Sequence, residues 1–264
     1  MSTDELAPGR KEGADWWATA ISDIRPGVIR FHGYPIEELI GAVSFPQMVW
    51  LMVRGELPTP GEARLLEQTL VAAVDHGPQA PSIAATRMAV SCGLAVNNAI
   101  ATGVNLLGDV HGGAGQQCLE MLYGLDASDP AAAAGEVVAS YKARKAYVPG
   151  FGHRFHPRDP RRDPLIAAAQ QAVADGTISG RYLELALAVE TALDPVPMNV
   201  DGATATIYAE LGVPAELARG LFVLSRSVGL LAHAHEQQQQ PTRIKGPLPK
   251  PVTPTYTGHP PRSL

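Results

Sequence analysis

Cysteine is almost missing from this chain of 264 residues, where Cys92 and Cys118 are the two present. Two thiols cannot build a disulfide scaffold, and such scarcity fits a reducing compartment. Basic residues are in slight deficit: Lys plus Arg is 21 against 26 for Asp plus Glu, a formal net charge of −5. A mildly acidic chain without a basic block argues against nucleic acid as its main partner. No apolar run approaches the roughly 20 residues of a membrane span. The opening residues, MSTDELAPGRKEGADWW, are polar and acidic and carry no apolar signal segment. The expectation is a soluble cytoplasmic protein of one large or two modest domains, with neither nucleic acid nor membrane as partner.

Strand patterns are also scarce, because β-branched residues seldom alternate with polar ones, while alanine is abundant. One short hairpin is expected where Thr19–Asp23 and Val28–His32 flank Arg25–Gly27. The rest reads as helix. Residues 35–54 hold two helical stretches around Ser44, an N-cap ahead of a proline. Residues 60–74 place Leu65, Leu66, Leu70 and Val71 on one face. Residues 82–104 are small and apolar almost all round, which predicts a helix buried on most sides. Further helices are expected over 113–123, 131–146, 164–175, 180–193, 203–211 and 214–238. The segment around 145–163 breaks the pattern with glycine and proline beside charged residues, as a structured functional loop does. The proline-rich end, from the Gln237–Gln240 run onward, reads as an extended arm or a free tail.

Four segments set ionisable groups beside glycine: VDHGP (74–78), GDVHGGAG (108–115), VPGFGHRFHPRDPR (148–161) and MNVDGATA (198–205). Glycine lets a ligand or backbone approach closely, and histidine and aspartate there suit acid–base chemistry near neutral pH. Taken singly each is weak, since a lone histidine is more often a packing residue. A metal site at His233, His235 and Glu236 is disfavoured, because residues two apart on a helix point to different faces. GDVHGGAG lacks the Lys-Ser/Thr pair of a nucleotide phosphate loop. Cys118 falls inside an expected helix without a nearby base, so it reads as core.

In this order the segments resemble the citrate synthase superfamily, and within it the short citryl-CoA lyase module. The similarity extends to TAISDIRPGVIRFHGYPIEELI (19–40), FPQMVWLMVRGELPT (45–59) and LSRSVGLLAH (224–233), so it covers nearly the whole chain. The resemblance implies an all-α fold with a trimmed large helical domain (1–125 and 203–264, including an arm at 239–264). A small helical domain (126–202) would close over a cleft, in a homodimer. The uniformly small, apolar sequence of 82–104, with 113–123, is expected to form its interface, the alternative being a core helix within one subunit. The resemblance implies that His111 holds the enol oxygen of an acyl-CoA thioester. His153 would bond the keto-acid carbonyl, or the carbinol oxygen, and Asp201 would be the base at the thioester α-carbon. His76, Arg161 and Arg226 would grip carboxylates, and Val148, Pro149, Gly150, Phe151 and Gly152 would line the coenzyme A path. Coenzyme A or acetyl-CoA enters as substrate, oxaloacetate as the keto acid, and no metal is called for.

Two departures keep the direction of reaction open. Only Thr59–Ala73 separates GELP from VDHGP, where full-length synthases place a long helical stretch, and this favours the lyase. His111 is present, however, where the lyase module of the ATP-dependent citrate-cleaving enzyme lacks a histidine. The alternatives are a citrate or 2-methylcitrate synthase-type acyltransferase and a non-catalytic relative that binds CoA or citrate. The family's arm also carries an Arg-Pro shortly before a Tyr-Thr-Gly, to reach a substrate carboxylate across the dimer. Here Lys250-Pro251 is the nearest match, with Arg243 and Lys245 upstream, so that contact is expected to be weaker or placed elsewhere.

Overall fold

The computed structural model describes residues 13, 15–249 and 251–264, so residues 1–12, Ala14 and Lys250 lie outside the described residues. By its internal contacts the chain divides into two units, one running to Glu67 and the other from Gln68 onward.

The first unit opens with a small antiparallel sheet of β1 (Ser22–Arg25), β2 (Val28–Phe31) and β3 (Tyr34–Pro35). Arg25 pairs with Val28, which leaves Pro26 and Gly27 as the turn. The first strand therefore sits later than Thr19–Asp23. Proline presets its own φ and Gly27 takes φ +75°, so these two residues fix where the chain reverses. Helix α1 (Ile36–Leu39) and helix α2 (Phe45–Arg54) follow on either side of Ser44. Ser44 and Gln47 close a reciprocal capping box, and Gly55 ends α2 in the left-handed conformation. Helix α3 (Pro60–Ala73) starts on a similar pairing of Thr59 with Glu62 and carries the chain into the second unit.

In the second unit the long helix expected over 82–104 is two helices, α4 (Pro81–Ser91) and α5 (Val96–Val104). Gly93, at φ +94°, turns the chain between them. The two fold back on each other, and a Cβ on Gly103 would come within 2.9 Å of the Ser82 carbonyl oxygen. The uniformly small apolar sequence is used twice, once in each arm of a helical hairpin. Ile83, Ala99 and Leu230, all fully buried, form the seam with helix α11 (Ala215–Gln239).

Helices α6 (Ala114–Tyr123), α8 (Arg162–Ala174) and α9 (Arg181–Ala192) pack against α10 (Val200–Glu210), and α7 (Pro130–Ala143) packs on α9. Helix α10 begins three residues before the expected start, because Asn199 caps it by accepting from the Asp201 and Gly202 amides. It is buried from Val200 through Ala209 except at the half-buried Asp201, as its small residues allow. Residues 241–249 and 251–264 form no helix or strand and are exposed. Their anchor is at the end of α4, where the Ile244 and Lys245 amides donate to the Ser91 carbonyl and hydroxyl, each at 2.9 Å. Among the described residues no helix is long and apolar enough to cross a membrane.

Candidate active site

The second unit contains a cavity of about 130 Å³ lined by His76, His111, His153, Arg161, Asp201 and Arg226. Sequence reasoning named all six as catalytic or carboxylate-gripping residues, and they come from five separate segments. His76 lies in the loop after α3, held where the Gln79 side-chain amide donates to the His76 carbonyl at 2.6 Å. His111 sits in the loop before α6, His153 and Arg161 in the loop before α8, Asp201 in the first turn of α10, and Arg226 within α11.

The imidazoles of His111 and His153 have their tautomers set by the protein. His111 Nε2 accepts from the Ser82 amide at 3.3 Å and lies 3.0 Å from the Ser82 hydroxyl, so its proton belongs on Nδ1. His153 Nδ1 accepts from the Phe155 and His156 amides, each at 3.1 Å, so its proton belongs on Nε2. Each ring keeps one N–H to offer a ligand. Burial, followed by the charges of Arg226 and Arg154, holds His111 below the ordinary imidazole value. His153 is lowered by burial too, against the opposing pull of Asp159. Both rings are neutral donors at neutral pH.

Asp201 behaves in the opposite sense. Burial raises its carboxyl above the usual aspartate value, while Arg161 and Arg226 oppose that rise. A carboxylate with enhanced proton affinity is the form a general base needs. Arg226 is 4% exposed, donates through Nε to the Ala73 carbonyl at 3.1 Å and stacks 4.9 Å over the Phe222 ring. Its terminal nitrogens remain as donors for an anion, and a buried guanidinium without a carboxylate partner is costly unless a ligand supplies one. His76 Nε2 is likewise buried without a hydrogen-bond partner.

Two close backbone crossings bring these groups together. Gly150, at φ +85°, lies against Gly202, and a Cβ on it would meet Cys118 Sγ at 2.7 Å and the Gly202 Cα at 2.8 Å. Asn199 then ties the start of α10 to the histidine loop, its side-chain amide donating to the Gly152 carbonyl at 2.6 Å and its backbone amide to that of Gly150 at 2.9 Å. Val148, Gly150 and Phe151 are buried in this brace, and Pro149 and Gly152 are half-buried. These five residues do not line the cavity. Pro149 borders a separate surface groove with Tyr141, Arg144 and Tyr147. Cys118 is buried and its thiol is pushed up by burial, as its reading as core requires.

Several site residues escaped sequence reasoning. Asp159 was visible in the DPR triplet, but its role was not. It is 1% exposed and binds Arg161 bidentately, Oδ1 to Nε and Oδ2 to a terminal nitrogen at 2.9 Å each, while also accepting from the Val200 amide at 3.0 Å. Burial works to raise its carboxyl, but the Arg161 and Val200 bonds prevail and hold it at about 2. Asn199 carried the ordinary signal of an N-cap before a helix. Ser82 carried none, since its partner His111 is far away in sequence. Ring nitrogens of His76, His153 and His156 lie within 4.8 Å of one another, which is a metal-like cluster. His153 is a poor ligand there, because its unprotonated nitrogen already accepts two amides. His233 and His235 diverge as expected, His233 bonding Asp75 and Arg87 and His235 bonding Gln239.

Two fixed imidazole donors, the Asp201 carboxylate and the unpaired Arg226 guanidinium are groups that can carry proton transfer at a carbon acid bearing carboxylates. The chain belongs to the citrate synthase family: the family model described as citrate synthase, C-terminal domain, matches residues 12–63 and 58–248. It is 32% identical over 220 residues to a citrate synthase of Haloferax volcanii, covering 80% of this chain and 55% of that protein. It is 28% identical over 262 residues to ATP-citrate synthase subunit 1 of Sordaria macrospora, covering 91% of this chain and 38% of that one. The chain thus spans about half or less of the length of these relatives. The fold also matches the citryl-CoA lyase of Hydrogenobacter thermophilus with a TM-score of 0.83 and 31% identity, over 94% of this chain and 97% of that one. The all-α fold expected from the sequence is that of this family in its short form.

Proposed function

We propose that this chain makes or cleaves the carbon–carbon bond between acetyl-CoA and oxaloacetate through a citryl-CoA-like intermediate, with cleavage as the favoured direction. The observation that carries the reading is the pair of imidazoles held as opposite tautomers around the Asp201 carboxylate. In condensation Asp201 takes a proton from the thioester methyl, and the Nδ1–H of His111 stabilises the oxygen that gains charge. The resulting enol carbon attacks the keto carbon, whose oxygen receives the Nε2 proton of His153. In cleavage the Nε2 proton of His153 first passes to Asp201, the vacated Nε2 takes the carbinol proton as the carbon–carbon bond opens, and Asp201 gives its proton to the departing enol carbon. Removing a proton from so weak a carbon acid needs both the positioned base and the donor at the developing oxyanion. His76, Arg161 and Arg226 hold the carboxylates.

Correspondence over nearly the full length of a citryl-CoA lyase, together with the short Thr59–Ala73 stretch, supports the lyase direction. Retention of His111 is the feature that supports synthase chemistry. Coenzyme A would run past residues 148–152 towards the groove at Pro149, Arg144 and Tyr147. The working unit in this reading is a cytoplasmic homodimer, in keeping with the exposed free thiol of Cys92. In each subunit 126–202 would close on a large domain of 1–125 and 203–264. Apolar side chains left exposed beside the central helices, Leu94, Leu106, Val228 and Leu231, suit a face between subunits. The deciding experiment measures thiol release from acetyl-CoA plus oxaloacetate, and cleavage of citryl-CoA. Activity in neither assay would replace this reading with a CoA- or citrate-binding role.

A further inference from the structure

Of the two arginines proposed to hold the keto acid, Arg226 alone has a full guanidinium fork free, and Arg161 offers one terminal nitrogen. A dicarboxylic keto acid presents two carboxylates, each best held by a planar guanidinium fork. Arg226 has such a fork free, because its one protein bond is through Nε. Arg161 does not: the Nε edge that would take a carboxylate side-on is occupied by Asp159, and a single terminal nitrogen remains. The arm that reaches a carboxylate in the family lacks its Arg-Pro here, and its recorded anchor is on Ser91, at the end of α4.

Arg154 lines the same cavity, one residue beyond His153. Its guanidinium lies 5.6 Å from the Phe155 ring, and that ring packs 6.2 Å from His76 and 6.1 Å from His153. Among the described residues no carboxylate pairs with it. From this unpaired cation we infer that Arg154 supplies the second carboxylate-binding fork, so that the dicarboxylate is held from within one chain and not by the arm. The inference rests on the proposed function for the identity of the acid, and it assigns its selectivity for dicarboxylates to a residue of the histidine loop. Phe155 is the platform on which the guanidinium rests while exposed, and the acid draws it over the cavity mouth.

The test uses the full-length chain with Arg154→Ala and Arg154→Lys, and Arg243→Ala and Lys250→Ala as arm controls. Steady-state kinetics gives the Michaelis constant for each substrate, and calorimetry gives the affinity for oxaloacetate without turnover. Losing a charge-assisted fork is expected to weaken oxaloacetate about 10- to 100-fold. The constant for acetyl-CoA should stay within about twofold, since distant, unshared sites behave independently. Arg154→Lys should recover part of the loss, and both arm variants should match wild type. Inhibition by malate should weaken in Arg154→Ala while inhibition by lactate, a monocarboxylate, does not. Unchanged oxaloacetate affinity in Arg154→Ala, or a loss that appears in an arm variant instead, overturns the inference and leaves the proposed function intact. A wild-type chain that neither binds oxaloacetate nor turns it over removes both.

Discussion

Asp159 offers the sharpest test of how the site is held together. Its carboxylate accepts the Arg161 backbone amide, two Arg161 side-chain nitrogens and the Val200 amide, with almost no exposure to water. Those bonds hold the group at about 2 against an ordinary 3.8. A lowered carboxyl favours the folded chain by about 2 kcal/mol once pH exceeds the unfolded value. The sign follows from proton counting: as pH falls the unfolded chain takes up the proton first, so the contribution fades between about pH 4 and pH 2. By pH 3 about half is gone. Asp159→Asn keeps the shape but loses the charge and turns an amide donor towards Arg161. At pH 7 the variant should unfold about 4–8 °C below wild type, on the scale of ~2 kcal/mol in a chain of this size. In urea at pH 3 the free-energy gap should shrink by roughly half. Turnover should fall as well, because the same carboxylate fixes Arg161 and the turn of α10 that carries Asp201. A gap of equal size at pH 7 and pH 3 would mean that shape, not charge, holds the knot, and no gap at all would refute the reasoning outright.

Asp201→Ala should remove nearly all turnover, about 10²–10⁴-fold for a general base, while calorimetry finds oxaloacetate or citrate binding largely kept. Because burial raises the Asp201 carboxyl, the acid limb of the wild-type pH–rate profile should lie above the 3.8 of an ordinary aspartate, with rate falling as pH drops through it. An acid limb at or below that value would show that a different group limits the rate. Gly202→Ala should impair folding, measured by circular dichroism and thermal unfolding, since its Cβ would fall on the Gly150 carbonyl and within 2.6 Å of the Met198 side chain. Light scattering at micromolar concentration should return the mass of a homodimer, and a monomer there would remove the proposed subunit face.

Much of the helical order was legible because local chemistry decides it. Ser44, Thr59 and Asp129 each precede a proline within the first helical turn and each caps as such residues do, so those helices start where their sequences say. The break at Gly93 was not legible from apolar periodicity, because a stretch of small residues is compatible with one long buried helix or with two packed face to face. The choice is made by tertiary contact, where Gly103 lets α5 close on Ser82. The site divides along the same line. Histidines and the aspartate beside glycines announced themselves, since close approach needs glycine and proton transfer needs those side chains. What the sequence conceals is which nitrogen each histidine offers. That depends on the Ser82 amide for His111 and on the Phe155 and His156 amides for His153. The first is a contact across a long sequence separation and the second is set by a turn of the loop. The residue types establish that acid–base chemistry is possible, and these backbone donors decide the direction in which each proton can move.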